Sequence, residues 1–146
     1  MGKWTLPKGE KEKNKISPEA AQKQVFSLMG YYSVDSDDID DKASKGAFDM
    51  ALNKMQKAFQ SGRLELKTDT GGMEIIQHLE NNQTITYGEL RGENKIAMDG
   101  FDPTCTSARE YALLGSLSGL GIDAIKKLSR NDLSIAECLG FFFLMA

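Results

Sequence analysis

Cysteine is scarce in this chain. Only Cys105 and Cys138 occur among 146 residues, too few for the disulfide framework that staples small secreted domains, so a reduced, cytoplasmic setting is expected. No stretch reads as a charged segment followed by an apolar signal core. Long apolar runs are missing too. The most hydrophobic stretch, Leu133 to Ala146, is about 14 residues long, is interrupted by Glu137 and follows Asn131 and Asp132. A membrane-spanning helix needs roughly 20 apolar residues, so this segment is expected to be a buried or partner-facing helix. Neither sign of charge dominates: eighteen basic and twenty-one acidic residues give a net charge of -3, a poor balance for coating nucleic acid.

Histidine is rarer still. His78 is the sole one, and with Cys105 and Cys138 it lacks the close ligand spacing of a zinc site. A thiolate–imidazole pair finds no local support either, because His78 falls in a strand pattern and Cys138 on an apolar helix. Asp35 to Asp41 holds five aspartates in seven positions, but an EF-hand loop starting at Asp35 would put Ile39 fifth and Asp40 where glycine is required. The glycines Gly115, Gly119 and Gly121 lack the Lys-Ser/Thr ending of a phosphate loop. No catalytic, cofactor or metal site is therefore expected, and the chain reads as a non-enzyme.

What is present is periodicity that changes along the chain. Residues 1–16 are Lys-rich and hold Pro7, Gly9, Trp4 and Leu6, which predicts a flexible basic arm. Ser17-Pro18-Glu19 is a helix start, with a capping hydroxyl, a first-turn proline and a carboxylate at the positive end. Ala21, Val25, Leu28 and Met29 then share one side. Asp35 to Asp38 is expected to cap a longer helix whose apolar residues, Ile39 through Phe59, recur in three- and four-residue steps and stop near Ser61-Gly62. Residues 17–62 thus read as a helical hairpin module.

From Gly62 the period becomes two. Arg63 to Lys67, Met73 to Leu79 and Thr84 to Leu90 predict strands, joined by turns at Thr68 to Gly72 and Glu80 to Gln83. Asn94 to Met98 predicts a short helical turn, ended by Asp102-Pro103. Thr106 or Ser107 is expected to cap a helix carrying Tyr111, Leu114 and Leu117 that Gly119 to Gly121 stops. A short helix over Asp123 to Leu128 and a final helix with Ile135, Leu139 and Phe142 on one side complete the 63–146 region. The expected fold class is α+β, mainly α: an N-terminal helical pair, a small antiparallel sheet and a C-terminal helical bundle.

The chain closes on Phe141, Phe142, Phe143, Leu144 and Met145. At about 100° per residue three consecutive phenylalanines cannot share one face, so at least one is expected at the surface of an isolated monomer, covered by a partner or a second copy. These five residues are the expected partner-binding site. A competing reading takes residues 109–128 as a helix-turn-helix of a small phage regulatory DNA-binding protein. Its recognition helix would offer Lys126 and Lys127 but no Arg, Asn or Gln to read base edges.

The run Thr84-Ile85-Thr86-Tyr87-Gly88-Glu89-Leu90-Arg91-Gly92, then Lys95 to Asp99, Tyr111-Ala112-Leu113-Leu114-Gly115-Ser116-Leu117-Ser118-Gly119-Leu120, and Asn131-Asp132-Leu133 leading to Leu139-Gly140-Phe141-Phe142, resembles the tail assembly chaperones of contractile-tail bacteriophages and prophages. The resemblance covers roughly Glu74 to Ala146; the helical pair before Gly62 departs from it. It implies binding of the long, apolar, helical tape measure protein, assistance in recruiting tail tube subunits, action in the cytoplasm of a bacterial host, and a longer product made by frameshifting near the Phe-Phe-Phe-Leu codons.

Overall fold

The computed structural model describes residues 15–69, 71–102 and 104–146. The expected arm over residues 1–14, with Trp4 and Leu6, lies outside the described residues, as do Thr70 and the expected break at Pro103. Ile16, assigned to the arm, is instead tied in: its N–H donates to the Gln60 carbonyl at 3.2 Å and its side chain packs on the core.

Helix α1 runs Pro18–Tyr31. Ser17 caps it by accepting from the Ala20 N–H at 3.1 Å, and Pro18 occupies the first turn, where its missing N–H costs nothing. Ala21, Val25 and Leu28 form its buried stripe. The aspartate cluster behaves differently from expectation. Asp35 caps only a single 3-10 turn, Ser36–Asp38, and helix α2, Lys42–Gln60, begins four residues later with Asp41 as its cap. The Asp41 carboxylate accepts from both Ser44 N–H, at 2.9 Å, and Ser44 Oγ, at 2.6 Å. These bonds hold its pKa below the usual carboxylate range. The physical reason is competition: several aspartates can each cap a helix start, and the one followed by a serine three residues on gains a second hydrogen bond. Ser61 and Gly62, the latter at φ 83°, end α2 as expected.

Three antiparallel strands follow in the order β1, Leu64–Lys67, β2, Glu74–His78, and β3, Thr84–Tyr87. Leu64 pairs with Gln77 and Gln77 with Ile85, while Leu66 pairs with Ile75 and Ile75 with Tyr87. Alternate residues share a sheet face, so these six line one side, which is turned to the core. Gln77 is the one polar residue in that row and is fully buried. It is satisfied on both ends: Tyr87 Oη donates to its Oε1 at 2.8 Å, and its Nε2 donates to the Asp132 carbonyl at 2.8 Å.

Helix α3 spans Gly92–Ile96, α4 Thr106–Ser118, α5 Ile122–Lys126 and α6 Arg130–Met145. Neither Thr106 nor Ser107 caps α4. Cys105 stands at that position and makes no side-chain capping bond, while Asp102 accepts from Thr104 N–H and hydroxyl just before it. Gly119, at φ 72°, ends α4. The tight return to α5 sets the need for Gly115, since a Cβ there would stand 2.5 Å from the Gly121 carbonyl carbon and 2.6 Å from the Ile122 nitrogen. Ser129 caps α6, accepting from the Asp132 N–H.

One continuous core joins both halves of the chain, from Ala21 and Phe48 through Ile75 and Tyr87 to Leu139 and Phe143. The fold class is α+β and mainly helical, as expected.

Gly115→Ala should lower stability by about 2 kcal/mol or more, since the clash is with backbone. Gly46→Ala, on an exposed helical position with open space, should raise it by up to about 1 kcal/mol. Urea denaturation followed by circular dichroism checks both signs.

Candidate functional site

The structure separates the five terminal residues expected to bind a partner. Phe142 and Phe143 are 0% and 1% exposed, Phe141 and Leu144 are half-buried, and Met145 is 41% exposed. Phe142 and Phe143 are thus core residues, a correction to the expected surface. Consecutive phenylalanines can be buried here because α6 has neighbours on more than one side. Phe142 stacks on Phe48 of α2 at a centroid distance of 6.3 Å and 13° between planes, and meets Tyr32, just past α1, edge-on at 6.0 Å. Phe143 meets Tyr32 at 5.7 Å. Phe141 also leans on Phe48, at 5.9 Å with the rings tilted by 42°.

Phe141 also forms one wall of an open groove between α2, α4 and α6. The hollow encloses about 290 Å³ and is walled by Ala47, Met50 and Ala51 of α2 and by Cys138 and Phe141 of α6, with Glu110 of α4 and Glu137 of α6 beside them. Met50 is 64% exposed, one of several large apolar side chains at the surface of the described residues with Phe26, Ile96 and Leu120, and the one of these that lines this groove. A larger hollow of about 470 Å³ between Gly72, Glu89, Arg91 and Asn94 has predominantly polar walls. That surface lacks the apolar character of a protein-docking patch.

The electrostatics of the apolar groove are set by Glu110. It occupies the buried row of α4 with Leu113, Leu114 and Leu117 and is 8% exposed. Among the described residues its carboxylate forms no ion pair or hydrogen bond. Burial, and then the negative charge of Glu137, push its pKa up to about 7. Glu137 in turn accepts from Tyr111 Oη at 2.8 Å. Tyr111 is itself pushed up to about 12 by desolvation, by that bond and by the two carboxylates, so it remains the donor. Burial also raises the Cys138 thiol, which leaves it a packing group rather than a nucleophile.

The remaining sequence candidates are dispersed. His78 pairs with Glu65 on the sheet, Nε2 to Oε1 at 3.0 Å. Cys105 is exposed at the start of α4 and Cys138 is buried in α6. Among the described residues no three His, Cys, Asp or Glu side chains converge to hold a metal, and no helix is long and apolar enough to cross a membrane. The recognition helix of the helix-turn-helix reading is the five-residue α5, whose Lys126 lies 3.9 Å from Asp123. Met50 and Glu110 are the groove residues that sequence reading passed over. Both carried a signal: Met50 is apolar but off the repeat of Phe48, Ala51 and Met55, and Glu110 is charged but on the repeat of Leu113, Leu114 and Leu117.

Phe142→Ala should cost about 3–5 kcal/mol, while Met50→Ser should fall within about 0.5 kcal/mol of the parent. Glu110 predicts a pH effect of definite sign. Its folded-state pKa lies above the unfolded carboxyl value of 4.5, so between about pH 4.5 and 7 the folded state holds the extra proton and stability declines as pH rises. Glu110→Gln should therefore be more stable than the parent at pH 8 by roughly 1–2 kcal/mol, with the difference shrinking toward pH 5. Parallel denaturant titrations at the two pH values measure it.

Against known proteins, neither a family model, nor a curated protein, nor a solved structure matches the chain.

Proposed function

We propose that this protein is a tail assembly chaperone of the contractile-tail phage type. In this reading it holds an apolar helical segment of the tape measure protein soluble in the bacterial cytoplasm until tail tube subunits enclose it. The observation that carries the reading is the open apolar groove between α2, α4 and α6, where Met50 is left exposed beside the half-buried Phe141. A chaperone surface needs adaptable apolar contacts that are released at assembly, and methionine and aromatic side chains supply them. The surface differs from the terminal pentapeptide expected from sequence: of those residues Phe141 contributes to the groove, and Met50, on the helical pair that lies outside the family resemblance, joins it. That gives the N-terminal pair a role in client binding. The DNA-binding alternative draws no comparable support, since α5 is one short turn with an acidic neighbour on its lysine.

Co-expression with a tape measure protein of a contractile-tail phage tests the reading. The parent chain should keep that protein in the soluble fraction and co-purify with it. Met50→Glu combined with Phe141→Ala, which leaves Phe142 and Phe143 in place, should reduce co-purification at least tenfold while circular dichroism shows a folded chain. A parent chain that fails to bind, or a double variant that binds equally well, overturns the proposal.

A further inference from the structure

The groove contains a charge pattern that its apolar walls do not explain. Glu110 is more than nine-tenths buried, faces the hollow and has no hydrogen-bond or ion-pair partner among the described residues. Its neighbour across the helix interface, Glu137, has one donor, Tyr111 Oη. The charge of Glu137 and burial both disfavour an ionised Glu110 and so weaken the fold; an apolar residue at position 110 would remove that cost. Lys54 lines the same hollow but is exposed on α2 and forms no ion pair with either carboxylate. The acidic pair is thus uncompensated within the described residues, at a place open to a partner.

We propose that the groove docks an apolar helix bearing a single lysine or arginine, whose cation is received between Glu110 and Glu137 while flanking apolar side chains rest on Met50 and Phe141. This rests on the reading of the chain as a binder of helical clients, and it adds the chemistry by which a client segment is chosen. A buried carboxylate that meets a cation regains the charge interaction it lacks in the free protein, and a client with glutamine or glutamate at the same place does not offer this. Charged hydrogen bonds formed away from water discriminate strongly, whereas apolar contact alone tolerates many sequences.

Docking also moves a proton. In the free protein the groups facing Glu110 are Glu137 and Cys138 from α6, Lys54 from α2 and Tyr111 on its own helix, and burial keeps Glu110 partly protonated near neutral pH. A cation placed beside it favours the ionised form, so binding at pH 7 releases a fraction of a proton to buffer.

Three synthetic 18-residue amphipathic peptides test the proposal, with leucine and alanine on one face and glutamine and serine on the other, identical except for lysine, glutamine or glutamate at one central position on the apolar face. Titration calorimetry on the full chain, at pH 7 in two buffers of different ionisation enthalpy, gives affinity and proton release together. The lysine peptide should bind at least tenfold more tightly than the glutamine peptide and release protons. Glu110→Gln should bring the two within twofold and abolish the release, and Met50→Ser should weaken all three peptides. Equal affinities in the parent chain, a lysine preference that survives both Glu110→Gln and Glu137→Gln, or no binding up to millimolar peptide overturns the proposal. Sedimentation of the chain alone adds a further outcome: self-association that Met50→Ser abolishes would assign the groove to a second copy and overturn the helical client. Because these peptides owe nothing to phage tails, a lysine preference without tape measure binding would refute the chaperone reading and leave the groove chemistry standing.

Discussion

Three phenylalanines in succession impose a geometric demand: their side chains sweep through about 200° of helix circumference, so α6 must be walled on more than one side. The architecture follows from that demand. Phe48 of α2 takes Phe141 and Phe142, Tyr32 takes Phe142 and Phe143 from the end of α1, and α4 closes against Gly140, where a Cβ would already stand 3.2 Å from that of Glu110. The two N-terminal helices therefore complete the burial of the C-terminal one. Without them the most apolar segment of the chain would face water along much of its length.

Two buried polar centres lie against the same helix and behave oppositely. At its start, Gln77 accepts from Tyr87 and donates to the Asp132 carbonyl, and the Asp132 carboxylate accepts from the Glu80 N–H and from Ser129. These bonds tie the sheet to α6, and their mutual satisfaction lets a glutamine sit in a row of leucine and isoleucine at little cost. One helical repeat further on, Glu110 and Glu137 meet with one donor between them. The first cluster is bound together by hydrogen bonds between the sheet and α6, whereas the second holds two carboxylates with a single donor, Tyr111 Oη.

Local chemistry was legible in the sequence wherever it was decided by neighbours in the chain. Ser17 with Pro18, Ser61 with Gly62, the alternation of Leu64 and Leu66, and the stop at Gly119 each act within a few residues, and each stands where the pattern placed it. The start of α2 was less clear because Asp35 and Asp41 are equally good caps in isolation; the Ser44 hydroxyl favours one of them. Burial of Phe142 and Phe143 was not legible at all. It depends on Tyr32 and Phe48, about a hundred residues away, and helical geometry around α6 alone could only say that one face would not suffice. The groove escaped for the same reason, since Met50, Glu110 and Phe141 come from three helices that are far apart in the chain.

The pairing of Tyr32 with Phe143 also has a consequence in time. Synthesis at about 5–20 residues per second separates these two rings by roughly 5–20 seconds, and everything the phenylalanines pack against is made before them. Until then Tyr32 and Phe48 lack the rings they pack against. Cooperative folding is thus deferred to the moment α6 arrives, and a nascent chain stalled shortly before residue 141 would expose its core to whatever apolar segment is nearby.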